Sequence, residues 1–145
     1  MGQVFETNRL VRHGHTDPAG IVFYPRYFEM INETVEDFFR DALGRPFGEM
    51  HLQKNIGVPT VHIETSFLAP SFCDDVLTFS LCISKLGHAS ATFDITATCG
   101  DEQRLTTALT VAHVALREMK AVPFDDSLRA ELTHYLINEP QEHSE

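Results

Sequence analysis

The chain has 145 residues, 43% apolar and 22% charged, enough for one domain with one sizeable core. Its net charge of −10 at neutral pH argues against nucleic acid as a partner, because phosphates call for a basic face. No apolar run approaches the roughly 20 residues that cross a bilayer, and Glu6 and Arg9 interrupt any signal-like core at the N-terminus, so a cytoplasmic protein with no membrane partner is expected.

Residues 4–12 read as a first strand. Gly2 does not open a myristoylation signal, because Glu6 stands where Ser or Thr is required. The stretch LVRHGHTDPAGIVFYPRYF, residues 10–28, then carries three overlapping chemical readings. LVRHGHT resembles a histidine-phosphatase signature, with His13 as nucleophile and Arg12 as phosphate clamp. His13, His15 and Asp17 would share one face of a strand and could ligate a metal. The run from Asp17 to Pro25 is a turn leading into a helix.

That helix is marked by Tyr27, Ile31, Val35, Phe38 and Ala42, which step by three or four residues. Pro25 suits its first position, and Gly44 and Pro46 stop it. Residues 61–68, 75–85, 89–99 and 105–116 read as four consecutive strands. In the second, Leu77, Phe79, Leu81 and Ile83 alternate with small polar residues. In the third, Ala91, Phe93, Ile95 and Ala97 do the same. The last is apolar on both faces, as in a sheet centre or a subunit contact. Leu86-Gly87-His88 and Gly100-Asp101-Glu102 are the turns between them. A short second helix is expected from Asp125 or Asp126 to about Leu136, with an acidic frayed tail over 139–145. Cys73, Cys82 and Cys99 are odd in number and lack metal spacing, which fits reduced core thiols. The order is strand, long helix, four strands, short helix: an α+β domain over residues 1–138.

This order ranks the three readings and leaves the histidine phosphatase as a minor alternative. A histidine phosphatase alternates strands and helices and needs a second Arg and His. His113 and Arg117 exist, but His113 lies inside an apolar run and reads as buried or pocket-lining. The metal reading lacks the His expected after Asp17, where Pro18 stands, and no second cluster follows.

The third reading draws on most of the chain. Asp17-Pro18-Ala19-Gly20-Ile21-Val22-Phe23-Tyr24-Pro25 resembles the catalytic turn of the 4-hydroxybenzoyl-CoA thioesterase family. Gly57-Val58-Pro59-Thr60-Val61, Ser66-Phe67 and Asp74-Asp75-Val76-Leu77-Thr78 resemble its middle strands. Lys85-Leu86-Gly87-His88-Ala89-Ser90 resembles its turn beside coenzyme A. The resemblance implies a hot-dog fold, a curved antiparallel sheet of about five strands wrapped around one long central helix. It also implies an acyl-CoA thioesterase acting on a 4-hydroxybenzoyl-CoA-like or short acyl substrate, with no cofactor and no metal. Asp17 would be nucleophile or general base, and the Tyr24 backbone N–H the oxyanion donor. Gly20 would let the backbone pass close to the thioester. Phe28 and Asn32 would contact the acyl group, Thr60 would also bind substrate, and Lys85, His88 and Ser90 would bind the coenzyme, although the cluster of basic residues found there in the aryl-specific enzyme is missing. A homodimer with two interfacial sites, or a dimer of dimers, is implied. A non-catalytic acyl-binding hot-dog subunit is the other reading of the fold. A dehydratase would need a His–acid motif that the chain lacks.

Overall fold

The structure is a computed structural model that describes residues 2–137, so the tail expected over 139–145 lies outside the described residues. In chain order the elements are β1 (Phe5–Leu10), a 3-10 turn (His13–His15), α1 (Tyr24–Asp37) continued by a π turn (Phe38–Ala42), and α2 (Phe47–Gln53). There follow β2 (Ile56–Gly57), β3 (Thr60–Phe67), β4 (Val76–Leu86), β5 (Ser90–Cys99) and β6 (Glu102–Ala112). The described chain ends with β7 (Val114–Ala115), β8 (Lys120–Ala121) and α3 (Asp126–Thr133).

Five strands form one antiparallel sheet in the order β1-β4-β5-β6-β3. The alternation read from the sequence sets which face meets the helix: Leu77, Phe79, Leu81, Ile83, Phe93, Ile95 and Ala97 are all fully buried. Helix α1 answers with Tyr27, Met30, Ile31 and Val35. Thr34 is buried among them and satisfies its hydroxyl on the Met30 carbonyl at 2.8 Å.

The helix does not run regularly to Gly44. It widens into the π turn after Asp37, and two successive aromatics, Phe38 and Phe39, are both buried. Phe38 lies edge-on to Phe5, Phe39, Phe93 and Tyr135, with ring centroids 4.9–5.8 Å apart. This is the hot-dog arrangement that the resemblance implies.

Four expectations change. Helix α2 was not foreseen. The last long strand breaks at His113, where the chain leaves the large sheet for a small one of β2, β7 and β8. As its apolar faces suggest for a sheet centre, β6 is internal; the edges are β1 and β3, and β3 leaves Val61, Ile63 and Phe67 exposed. The thiols do not all belong to the core: Cys99 packs half-buried against it, Cys82 is half-buried and Cys73 is exposed. Helix α3 starts as expected, with the Asp125 carboxylate accepting from Leu128 N–H at 2.7 Å, but ends at Thr133. Among the described residues no helix is long and apolar enough to cross a membrane.

The sheet has two ends that carry different segments. One carries Leu10, Val76 and Phe67, paired to Leu105. The other carries the β4–β5 turn, with Ser90 paired to Ala112 and Thr60 to Val111.

Candidate active site

Between β1 and α1 the chain folds back on itself. Asp17 N–H donates to the Ile21 carbonyl (2.9 Å), Gly20 N–H to the Asp17 carbonyl (2.8 Å) and Phe23 N–H to the His15 carbonyl (2.9 Å). Thr16 pairs with Val22 in the resulting hairpin. Side chains alternate across such a pair. Since Val22 is buried, Asp17, Ile21 and Phe23 take the opposite, outward face. Gly20 has φ +85°, and a Cβ there would meet nothing within 4 Å. Its glycine therefore answers to the left-handed turn, and within the chain no close approach requires it.

The Asp17 carboxylate is half committed. Its Oδ1 accepts from Ala19 N–H at 2.9 Å, the local turn expected of Asp before Pro. Among the described residues its Oδ2 has no partner.

The hairpin delivers the chain to the start of α1. Tyr24 is the first helical residue and Pro25 the second, one place later than the sequence suggested. Phe23 precedes them without a side-chain cap. Among the described residues no acceptor takes the Tyr24 N–H. This N–H therefore stands unpaired at the positive end of the helix dipole.

Beside it lies an apolar groove of about 370 Å³ lined by Ile21, Tyr24, Tyr27, Phe67, Leu68 and Pro70. Phe67 is its hub, with the rings of Tyr24, Tyr27 and Phe28 at 6.4, 5.5 and 6.0 Å. The sequence marked Phe67 only as part of a strand; its outward position on an edge strand reveals the role. Asn32 and Thr60 meet elsewhere, in a recess of about 300 Å³ with Phe47, His51, Pro59 and Leu116. Asn32 is eight residues along the helix from Tyr24, or about 12 Å of rise.

Lys85, His88 and Ser90 lie on the β4–β5 turn, at the opposite end of the sheet from Asp17. Eight-residue β3 runs the same length, about 23 Å at ~3.3 Å per step. Within one chain the two groups are not brought together. The turn holds a cation that the sequence reading missed: Arg129 of α3 donates to the Gly87 carbonyl, its guanidinium 6.0 Å from the Phe124 ring. Residues 87 and 129 are too far apart in sequence for spacing to link them.

A partly buried network holds the loop that follows Leu68 and Pro70 of the groove. Arg104 donates to Ser71 Oγ (3.0 Å), Asp75 Oδ2 (2.8 Å) and Glu102 Oε1 (2.6 Å). The Arg104 hydrogen bond holds the Asp75 carboxyl below the usual carboxylate range, helped by the Phe72 N–H.

The competing readings lose their geometry. His13 and His15 form a 3-10 turn instead of a strand, and His15 Nδ1 accepts from Arg12 N–H at 2.8 Å. Among the described residues no three His, Cys, Asp or Glu gather as a metal site. His113 is buried, with Nδ1 2.6 Å from the Val122 carbonyl, at the sheet end away from His13.

Comparison with known proteins agrees with this architecture. The profile of the Thioesterase-like superfamily matches residues 11–132. A 1,4-dihydroxy-2-naphthoyl-CoA hydrolase of Acaryochloris marina is 32% identical over 110 residues, 74% of this chain and 79% of that protein. A 4-hydroxybenzoyl-CoA thioesterase of a Pseudomonas species is 29% identical over 86 residues, 59% of this chain and 61% of that protein. Among solved structures, a gentisyl-coenzyme A thioesterase superposes with TM-score 0.76 at 27% identity, covering 88% of this chain and 99% of that one. A 1,4-dihydroxy-2-naphthoyl-CoA thioesterase from Synechocystis shares the fold with TM-score 0.83 at 21% identity, covering 95% and 100%. With the hairpin, the long helix and the wrapped sheet in the same order, the chain is a hot-dog enzyme of the hydrolase class and belongs to the Thioesterase-like superfamily.

Proposed function

We propose that this enzyme hydrolyses the thioester of an aromatic, ring-hydroxylated acyl-CoA. One observation carries the reading: a carboxylate with one open oxygen, Asp17, sits on the hairpin that ends at the unpaired Tyr24 N–H beside an aromatic groove. The thioester carbonyl accepts from the Tyr24 N–H, where the helix dipole stabilises the charge that builds on its oxygen. Asp17 Oδ2 then acts in one of two ways. It attacks the carbonyl carbon, expelling coenzyme A thiolate and leaving a mixed anhydride that water cleaves. Or it takes a proton from water while the hydroxide attacks the carbonyl carbon, the C–S bond breaks, and Asp17 returns the proton to the departing coenzyme A thiolate. Both routes end in free acid and coenzyme A thiol.

The acyl class rests on the groove and on the relatives. Tyr24, Tyr27, Phe28 and Phe67 offer ring faces and edges to a planar group. The curated relatives are named for hydroxynaphthoyl and hydroxybenzoyl thioesters.

A complete site takes a second copy. The β3 edge exposes Val61, Ile63 and Phe67 along unpaired backbone. Antiparallel pairing of β3 with its copy across a two-fold axis sets residue 60 of one chain against residue 67 of the other. The turn with Lys85, His88, Ser90 and Arg129 of the second copy then comes to the Asp17 end, where cations can meet the coenzyme phosphates.

The test is hydrolysis of a panel: 4-hydroxybenzoyl-CoA, 1,4-dihydroxy-2-naphthoyl-CoA, a short aliphatic acyl-CoA and a phosphate monoester, read by released thiol or phosphate. The aryl thioesters should turn over best. Turnover of the phosphate ester alone, with phosphohistidine at His13, would overturn the assignment.

A further inference from the structure

We infer that Arg104 is a positioning residue for the oxyanion donor, acting through Ser71 on the hairpin that carries Asp17 and Tyr24. The inference rests on the proposed role of Tyr24 and adds a residue outside the groove.

The argument begins with a fault in the sheet. Ala97 pairs with Leu105 and Thr98 with Gln103, so Arg104 is an extra residue in β6, a β-bulge. Bulges re-aim side chains and occur beside functional sites. Here two successive residues, Arg104 and Leu105, are both buried, which strict alternation forbids. Burying a guanidinium is costly unless its donors are met. Arg104 meets them on Ser71, Asp75 and Glu102. Its carbonyl also accepts from Leu68 N–H at 2.8 Å and Ala69 N–H at 3.3 Å. One residue thus grips the loop of residues 68–75 at both ends.

That loop is what the hairpin leans on. Fully buried Ser71 accepts from Val22 N–H through its carbonyl at 2.9 Å, and Ile21 bridges to Phe72. Val22 is two residues from Tyr24, and Leu68 and Pro70 wall the groove. The path from guanidinium to oxyanion donor is therefore Arg104, Ser71, Val22, Tyr24. Lysine cannot reproduce it, because a single ammonium cannot reach Ser71, Asp75 and Glu102 with the fixed fork of arginine.

The experiment compares Ser71→Ala and Arg104→Lys with the parent full chain. Three readouts are taken: turnover of the best aryl-CoA, affinity for a non-hydrolysable aryl-CoA thioether, and amide exchange at Val22, Ile95 and Leu81. Turnover should fall about 10- to 100-fold, the size of loss a small misplacement causes. Thioether affinity should stay near parental. Exchange should quicken at Val22 and remain slow at Ile95 and Leu81. Near-parental turnover in both variants overturns the inference. So does an equal loss of protection at all three amides, which marks Arg104 as merely structural. If the parent hydrolyses no aryl-CoA, the proposed function fails, and exchange at Val22 alone still decides whether Arg104 governs the hairpin.

Discussion

Asp17→Asn separates the catalytic role of Asp17 from its role in the turn. The asparagine Oδ1 can still accept from Ala19 N–H, which Asp17 holds at 2.9 Å, so the hairpin keeps its local bond. The position lies on an outward face, and stability should change by no more than about 0.5 kcal/mol. What disappears is the anionic Oδ2, the oxygen with no partner among the described residues. A neutral amide is neither a base nor a competent nucleophile, and general-base losses run to about 10²–10⁴-fold. That corresponds to about 2.7–5.4 kcal/mol of barrier. Ground-state binding should barely change, because the loss falls on the transition state. The assay is steady-state thiol release, paired with direct binding of the unreacted acyl-CoA to the variant. Retention of more than roughly a third of parental turnover would show that Asp17 only makes the turn.

Three further outcomes are expected. Phe38→Ala removes the ring that Phe5, Phe39, Phe93 and Tyr135 surround, and should cost about 3–5 kcal/mol in urea unfolding; an effect under about 1 kcal/mol would mean the centre of the core lies elsewhere. Val61→Lys combined with Ile63→Lys should leave a monomer by light scattering and abolish turnover, whereas an active assembly of unchanged mass would remove β3 as the pairing edge. Asp75→Asn should destabilise at neutral pH, with the gap closing on acidification. Arg104 depresses the folded-state pKa of Asp75, so its stabilisation is present above the unfolded value of about 3.9 and fades as pH falls below it. A gap that persists unchanged well below that pH would refute the ion-pair account.

The parts of this molecule that were legible in the sequence are those fixed by neighbours along the chain. Leu77 to Ile83 and Phe93 to Ala97 keep a period of two because one sheet face meets α1, and the period alone locates both strands. The resemblance proposes Asp17 and Tyr24 together because one short hairpin and one helix start carry both. Other features needed distance. Helix α2 buries only Met50, too little to leave a stripe. His113 breaks the last strand because the chain passes there between two sheets, which apolar content on both faces disguises. Arg104 and Arg129 earn their places from partners 29–42 residues away, and a bulge has no composition of its own.

The separation of Asp17 from the Lys85–Ser90 turn along the sheet has a consequence for genetics. If each site draws its carboxylate from one chain and its coenzyme grip from the other, a lesion at either end kills both sites of a homodimer. Two such dead chains, one altered at Asp17 and one at the β4–β5 turn, then need not be dead together. Half of a random mixture is mixed dimer, and each mixed dimer gathers both lesions into one site and leaves the other intact. Co-expression of the two null alleles should restore on the order of a quarter of parental activity, an estimate that follows from two-fold symmetry alone. The same alleles placed on one chain, beside a parental chain, should give dimers in which each lesion spoils a different site.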